Sequence, residues 1–279
     1  MKKIFVLLAV ALFTYSVNAQ VKVPQPSPAA KVEQVIGLTD VSVEYSRPSM
    51  KGRTIFGDLV PYDKLWRTGA NKNTMITFGD DVKVNGKELK KGSYAIFTKP
   101  GKESWDVTFY TDTNNWGTPR KWDDSKVAAT VAVKPAKLPM KVETFTIMFN
   151  DLGMDSGKMF IIWEGLEIPL TIETKAKEQS VASIEKVMAG PSANDYYQAA
   201  VFFKNIKDFG KAKEHIEKAV AARADAFWYH RQHSLILAGN GDKDGAIKAA
   251  KTSLELAEKA GNADYVKLNK DSLKEWGAQ

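Results

Sequence analysis

The segment from Tyr45 to Asn73, called the cationic segment below, carries the side chains best suited to hold a charged ligand. Its cationic side chains outnumber its two acids, and among them are Arg47, Lys51, Arg53, Lys64 and Arg67. A guanidinium group can donate two parallel hydrogen bonds to one carboxylate or phosphate. We therefore predict a site for an anionic small molecule or an acidic peptide, formed by Arg47, Lys51, Arg53, Trp66, Arg67 and Asn71.

The same arginines have a second, purely structural interpretation. Glycine and proline residues bend the cationic segment, and its aromatic residues can pin it onto a folded domain. Arginines in such a loop can donate to loop carbonyls or pair with neighbouring acids, and in sequence these networks resemble binding sites. Ligand binding predicts that Arg47, Arg53 and Arg67 converge in a shallow groove.

A second candidate lies between Asp112 and Asp124, where Trp116 and Trp122 flank Arg120. Exposed indole rings could stack on sugar faces, although a tryptophan can equally be a half-buried anchor. Oxygen-bearing side chains of this segment resemble part of a calcium loop, but a tryptophan stands where a further ligand would be needed. We predict no metal site and no cofactor.

The sequence argues against two common hydrolytic machineries. It contains no cysteine, which excludes thiol catalysis, and its three histidines lie late in the chain, at His215, His230 and His233. A Ser-His-Asp triad therefore cannot form within the preceding part alone. One alternative stays open, a hydrolase of glycans or cell-envelope material that uses a carboxylate pair, to which Glu164 and Glu167 or Asp123 could contribute. It predicts a deep cleft with two facing carboxylates.

Residues 1–19 have the pattern of a secretory signal peptide. Two lysines precede an apolar run, and Val17-Asn18-Ala19 offers small residues for cleavage near Ala19. The run is shorter than the ~20 residues of a membrane span, and no later stretch of sequence is long and apolar enough. We expect a periplasmic or secreted protein without a membrane span after signal removal, beginning with a proline-rich leader over residues 20–30.

Composition sets two further limits on this exported protein. Without cysteine it forms no disulfide and depends on burial for its stability. The formal charge of +7 is distributed over both halves of the chain. Nucleic-acid binders concentrate such charge on one face or tail, so we expect no nucleic-acid partner.

Residues 31–175 carry the signals of an antiparallel β-sandwich, for which a jelly roll is one arrangement. Short stretches are apolar or alternate between apolar and polar residues, with no helical pattern between them. Asn85-Gly86 predicts a type I′ hairpin, because that turn needs positive φ at both positions. The predicted strands are 32–38, 41–46, 74–78, 82–84, 94–98, 105–110, 127–133, 142–149, 159–163 and 167–173.

Residues 176–279 predict a helical module, in which apolar residues recur every three or four positions. A shift of 34 residues places Asp208 on Asp242 and Ala212 on Ala246, which is the spacing of tetratricopeptide repeats. The sequence resembles that repeat family over residues 193–258. A further helix over 264–276 is expected to cap the last repeat.

The cationic segment also resembles the signature of a known family. The matching stretches are Arg47-Pro48, Lys51-Gly52-Arg53, Phe56-Gly57 and Trp66-Arg67-Thr68-Gly69-Ala70-Asn71. They are similar to an exported domain of Bacteroidetes-type bacteria, catalogued as a domain of unknown function (twenty-nine eleven), and the similarity covers residues 26–174. The resemblance implies export and following helical repeats, but it supplies no activity or catalytic residue.

These features together predict a periplasmic binding or scaffolding protein. Its sandwich would present the cationic segment to an anionic group, and its helical repeats would dock a protein or peptide partner. Besides the hydrolase, a purely structural envelope protein stays open as an alternative, with helices that only support the sandwich.

Overall fold

The computed structural model describes residues 23–188 and 190–278. The predicted signal peptide lies outside the described residues. The chain divides into two compact units, of which the first ends at Thr174 and the second begins at Lys175. The described part of the first unit consists mainly of strands, and that of the second consists of helices.

The first unit is a β-sandwich, as predicted. Its strands are β1 (Ala29–Ile36), β2 (Thr39–Ser46), β3 (Thr74–Phe78), β4 (Val82–Val84), β5 (Lys87–Leu89), β6 (Gly92–Lys99), β7 (Trp105–Tyr110), β8 (Val127–Val133), β9 (Ala136–Asn150) and β10 (Ser156–Glu173). One antiparallel sheet has the order β1-β2-β3-β6-β7-β8, and the other has the order β5-β4-β10-β9. The strands of the larger sheet stand in order of increasing chain position, but β4 and β5 of the smaller sheet intervene between its neighbours β3 and β6.

Alternation along the strands determines which side chains form the core between the sheets. Trp105, Val107 and Phe109 of β7 are fully buried, whereas Asp106 between them is exposed. Successive side chains of a strand point to opposite faces, so one face of β7 is apolar. A single hydrophobic core contains these residues together with residues of the smaller sheet such as Phe145.

The structure corrects one strand boundary and confirms one turn. Residues 159–163 and 167–173 form one continuous strand, β10, in which the pairing with β9 shifts register on either side of Glu164. Glu164 has φ of +53°, so the chain bulges there without leaving the sheet. The predicted hairpin has φ of +44° at Asn85 and +77° at Gly86, and it joins paired residues 84 and 87.

The cationic segment connects β2 to β3 and bonds to a strand of each sheet. Near its start, the Met50 N–H donates to the Glu143 carbonyl of β9 at 2.9 Å. Near its end, Trp66 and Thr98 of β6 exchange backbone hydrogen bonds of 2.7 and 2.9 Å. Because β9 and β6 belong to different sheets, the segment links the two layers of the sandwich.

Aromatic side chains of the cationic segment complete the core at this link. Trp66 stacks on Trp163 with ring centroids 5.9 Å apart and an interplanar angle of 19°. It meets Phe145 edge to face at 5.5 Å, and Phe56 meets Trp105 in the same way at 5.0 Å. Such aromatic pairs add about 0.5–1.5 kcal/mol each beyond simple burial. The segment is therefore part of the core as well as a surface loop.

The second unit contains six helices in its described part: α1 (Ala176–Val187), α2 (Ala193–Asn205), α3 (Phe209–Ala222), α4 (Phe227–Gly239), α5 (Lys243–Lys259) and α6 (Ala263–Glu275). The helix pair α4–α5 begins 34 residues after α2–α3. The side chains of Asp208 and Asp242 cap α3 and α5 in the same way. The repeat read from the sequence is thus visible in the helices, while its assignment to the tetratricopeptide family stays a prediction. No helix of the two described ranges is long and apolar enough to cross a membrane.

Replacing Trp66 should destabilise the sandwich. We expect Trp66→Ala to lower the free energy of unfolding by about 3–5 kcal/mol, because it removes a large ring from the core. Trp116→Ala is the matched control, since Trp116 is 79% exposed and its loss should change that free energy by less than about 0.5 kcal/mol. Urea unfolding followed by near-ultraviolet circular dichroism measures both variants, and equal stabilities would contradict the assigned role of Trp66.

Candidate functional site

Two of the predicted ligand-binding arginines already donate to protein oxygens. The Arg47 Nε donates to the Phe145 carbonyl at 3.1 Å, and its Nη2 donates to Thr146 Oγ1 at 2.8 Å. The Arg53 Nε donates to the Met50 carbonyl at 2.8 Å, and its Nη2 donates to the Ser49 carbonyl at 2.7 Å. These contacts match the structural interpretation, in which arginines hold the cationic segment in shape.

Three further predicted residues also stabilise the segment. The Trp66 indole lies in the aromatic core described above, and its Nε1 donates to the Gly69 carbonyl at 3.2 Å. The Asn71 amide donates to the Ser27 carbonyl at 3.3 Å. Lys51 donates its backbone N–H to a carboxylate oxygen of Glu143 at 2.8 Å, while its side chain is exposed. The side chains of Trp66 and Asn71 are thus occupied by contacts within the protein, whereas the Lys51 ammonium group is exposed to solvent.

Arg67 differs from the other two arginines. Its side chain is half-buried, and its Nε is a buried donor without an acceptor. No residue in the described part of the chain accepts a hydrogen bond from its guanidinium group or forms an ion pair with it. A buried donor without a partner costs about 1–3 kcal/mol, and more when the group is charged. Arg67 is therefore the predicted arginine that is free to bind a ligand.

The backbone around Arg67 is held in an unusual conformation. Thr68 and Gly69, the next two residues, have φ of +56° and +140°. A Cβ atom at Gly69 would lie 3.1 Å from the Ser46 carbonyl oxygen and 3.2 Å from Thr74 Oγ1, so glycine is needed there. Thr68 Oγ1 donates to Thr98 Oγ1 at 3.1 Å. Backbone strain of this kind persists only where its surroundings enforce it, and it clusters at functional sites.

The second candidate segment meets the cationic segment next to Arg67. The Asn73 N–H donates to the Asn115 carbonyl at 3.0 Å, and the Asn115 N–H donates to Asn73 Oδ1 at 2.9 Å. A Cβ built on Gly117, in the same loop, would lie 3.6 Å from an Arg67 terminal nitrogen. The guanidinium group thus lies against the backbone just after Trp116.

Lys72 and Trp116 form the outer part of this arrangement. They face each other in an isolated antiparallel bridge, and residues directly opposite in such a pair project from the same face. The Lys72 side chain is exposed, and so is most of the Trp116 ring. We call Arg67, Lys72 and Trp116 together the Arg67–Trp116 site. Sequence analysis missed Lys72, because no local pattern predicts a pairing between residues so far apart in the chain.

Trp122 and Arg120, which the sequence groups with Trp116, have different surroundings. Trp122 stacks on Tyr110 of β7 with ring centroids 4.5 Å apart, and Arg120 is exposed in the loop. The acidic residues of this loop are also engaged. Lys126 donates to the Asp112 carboxylate at 2.9 Å, and this hydrogen bond lowers the pKa of Asp112. Within the described ranges, no cluster of three or more histidine or acidic side chains could hold a metal ion.

Two carboxylates considered for a hydrolase have structural partners. Glu164 accepts a hydrogen bond from the Phe56 N–H at 3.3 Å and pairs with Lys141 at 3.5 Å. Asp123 caps the short 3-10 helix Asp124–Lys126 by accepting from the Ser125 N–H at 3.0 Å. The hydrogen bonds from Ser125 lower the pKa of Asp123, which does not suit a general acid.

Comparison with known proteins adds one match. A family model described as "Protein of unknown function (DUF2911)" matches residues 27–172. The matched range contains the cationic segment and the loop with Trp116 and Trp122, and it ends before α1. No curated protein matches the chain.

The contrast between Arg47 and Arg67 can be tested by stability alone. We expect Arg47→Met to lower the free energy of unfolding by about 1–3 kcal/mol, because it removes two hydrogen bonds between the cationic segment and β9. Arg67→Met keeps the length of the side chain and removes an unpartnered donor, so the free energy of unfolding should stay within about 0.5 kcal/mol or rise. Chemical unfolding of both variants measures the difference. Equal losses would show that Arg67 has a structural role after all.

Proposed function

The chain belongs to the DUF2911 family of proteins of unknown function, and we propose that this member binds an anionic sugar at the Arg67–Trp116 site. The observation that carries the proposal is the unpartnered guanidinium group of Arg67. A planar guanidinium matches the two oxygens of a carboxylate. A ligand carboxylate there would accept from the terminal nitrogens of the guanidinium group, which donate to no described residue of the protein.

The neighbours of Arg67 favour a sugar acid over a simple inorganic anion. Trp116 offers an exposed indole ring beside the exposed ammonium group of Lys72. An aromatic face supplies apolar contact area to the C–H groups of a sugar ring, while the two cations attract its carboxylate. The hydrogen bonds between Asn73 and Asn115 hold the two loops in register, so little ordering is needed on binding.

We place this activity outside the cytoplasm. The proposal rests on the signal-peptide pattern of residues 1–19. A periplasmic or secreted protein meets acidic glycans of envelopes and of the surroundings. This location therefore agrees with a sugar acid as the ligand.

The helical unit favours a second binding function. Two of its half-buried cations, Lys204 and Arg231, form no ion pair with a described residue. The Lys204 side chain of α2 has no hydrogen bond or ion pair with the described residues, and Arg231 of α4 donates to Ser272 Oγ at 3.0 Å. Burial lowers the pKa of both side chains, and the charge of Arg231 lowers the pKa of Lys204 further. An acidic group of a docked peptide would compensate both charges.

The Arg67–Trp116 site can be tested by calorimetric titration of the purified protein with trigalacturonate, with cellotriose as the uncharged probe. We expect trigalacturonate to bind, and Arg67→Met to weaken binding about 10- to 100-fold, as the loss of a charged hydrogen-bonded contact implies. Trp116→Ala should also weaken binding. Arg53→Met is the matched control and should bind like the wild type, because its guanidinium is occupied by loop carbonyls.

Added salt should weaken trigalacturonate binding, since the attraction between exposed charges is screened. The proposal fails if trigalacturonate gives no binding heat, or if Arg67→Met binds it as tightly as the wild type does.

The helical site can be tested with fluorescein-labelled hexa-aspartate, with hexa-asparagine as the uncharged peptide. Fluorescence anisotropy should show binding of the acidic peptide that weakens at least about tenfold in Lys204→Met/Arg231→Met, because both unpaired charges are removed. Lys248→Met/Lys251→Met changes two exposed cations of α5 and controls for net charge. Equal losses of affinity in the double variant and in the control would show that the peptide binds only by non-specific charge attraction, which would contradict the helical site.

A further inference from the structure

The outer face of the larger sheet carries a groove of about 740 Å³. Asp106 and Thr108 of β7 line it, and they alternate with the core residues Trp105 and Val107, so they point away from the core. Residues of the cationic segment and of the loop before β8 also line the groove; among them are Asp63, Lys64, Leu65, Trp122 and Asp124. The volume lies within the ~300–1,000 Å³ of typical ligand pockets.

Trp122 forms a fixed aromatic wall of this groove. One face of its ring stacks on Tyr110, with centroids 4.5 Å apart and an interplanar angle of 27°. Its ring meets Phe97 edge to face at 5.6 Å, and its Nε1 donates to Asp124 Oδ1 at 2.9 Å. Three contacts therefore hold the indole in place before any ligand arrives. A rigid aromatic ring loses little entropy on binding.

The charged groups of the groove are nearly balanced and mostly unpaired. Three carboxylates face two ammonium groups, belonging to Asp63, Asp106, Asp124, Lys64 and Lys99. Among the described residues, only Asp124 of these five has a side-chain hydrogen bond, the one from Trp122. Lys99 and Asp106 occupy directly opposite positions in the register of β6 and β7. The groove thus offers free acceptors and free donors side by side, without a strong net charge.

We propose that this groove binds a neutral saccharide. A sugar ring would lie against Trp122, and its hydroxyl groups would donate to the Asp106 carboxylate and accept from the Lys99 ammonium group. A neutral polyhydroxylated ligand uses both kinds of partner, whereas a charged ligand would be repelled by one of them. None of Arg67, Lys72 and Trp116 lines this groove, so the inference stands apart from the acidic-sugar site.

Titration of the purified protein with neutral hexasaccharides tests the groove, using cellohexaose, mannohexaose and xylohexaose as probes. We expect at least one of them to bind, and Trp122→Ala to weaken that binding at least tenfold, because it removes the stacking surface. Asp106→Asn should weaken it severalfold; its side chain is exposed and unpaired, so this variant keeps the fold. Trp116→Ala is the matched control and should leave neutral hexasaccharide binding unchanged.

The two tryptophan variants thereby separate the two sites. Trp122→Ala should reduce binding of the neutral hexasaccharide and leave trigalacturonate binding intact, while Trp116→Ala should do the reverse. The inference is overturned if none of the three hexasaccharides binds. It is also overturned if Asp106→Asn and Trp122→Ala both bind the hexasaccharide as the wild type does.

Discussion

The attachment of the cationic segment to both sheets is the constraint on which the first unit depends. Trp66 contacts both sheets, because its backbone pairs with Thr98 of β6 and its ring stacks on Trp163 of β10. The hydrogen bond from Met50 to Glu143 attaches the other end of the segment to β9. A loop held in this way contributes to the core. Its backbone is fixed by these attachments, so its surface side chains project from fixed positions. Arg67, the residue after Trp66, owes its fixed position to this attachment.

The arginines of the cationic segment have two different roles. Arg47 and Arg53 donate to carbonyl and hydroxyl oxygens of the segment and of β9. They thereby satisfy backbone carbonyl groups that have no partner within an irregular stretch of chain. Arg67 has no such partner among the described residues and has a buried, unpaired Nε. A fold gains nothing in stability from that arrangement. A ligand that accepts from the terminal nitrogens of Arg67 would compensate its charge.

The sequence predicted the architecture better than the site, and particular residues show why. Strands such as β3, β7 and β8 follow from local residue patterns, whereas β10 was divided because Glu164 and Gly165 interrupt its pattern without ending its pairing. Trp66 was predicted both as a ligand contact and as an aromatic anchor of the segment, because composition alone does not distinguish a loop tryptophan that fills the core from one that faces solvent; the structure shows the anchor. The meeting of residues 72 and 116 depends on how distant loops pack, which no local pattern encodes.

The two attachment points of the cationic segment also fix its length. The chain between Met50 and Trp66 must span from β9 to β6, and both ends are bonded to strands whose registers are set by the core. Deleting or inserting one residue would break an attachment or force the turns between the two attachments to rearrange. Surface loops usually tolerate changes in length among related proteins. In this family, gaps in an alignment should accordingly accumulate at hairpin tips such as Gly37-Leu38 and avoid the stretch between Met50 and Trp66.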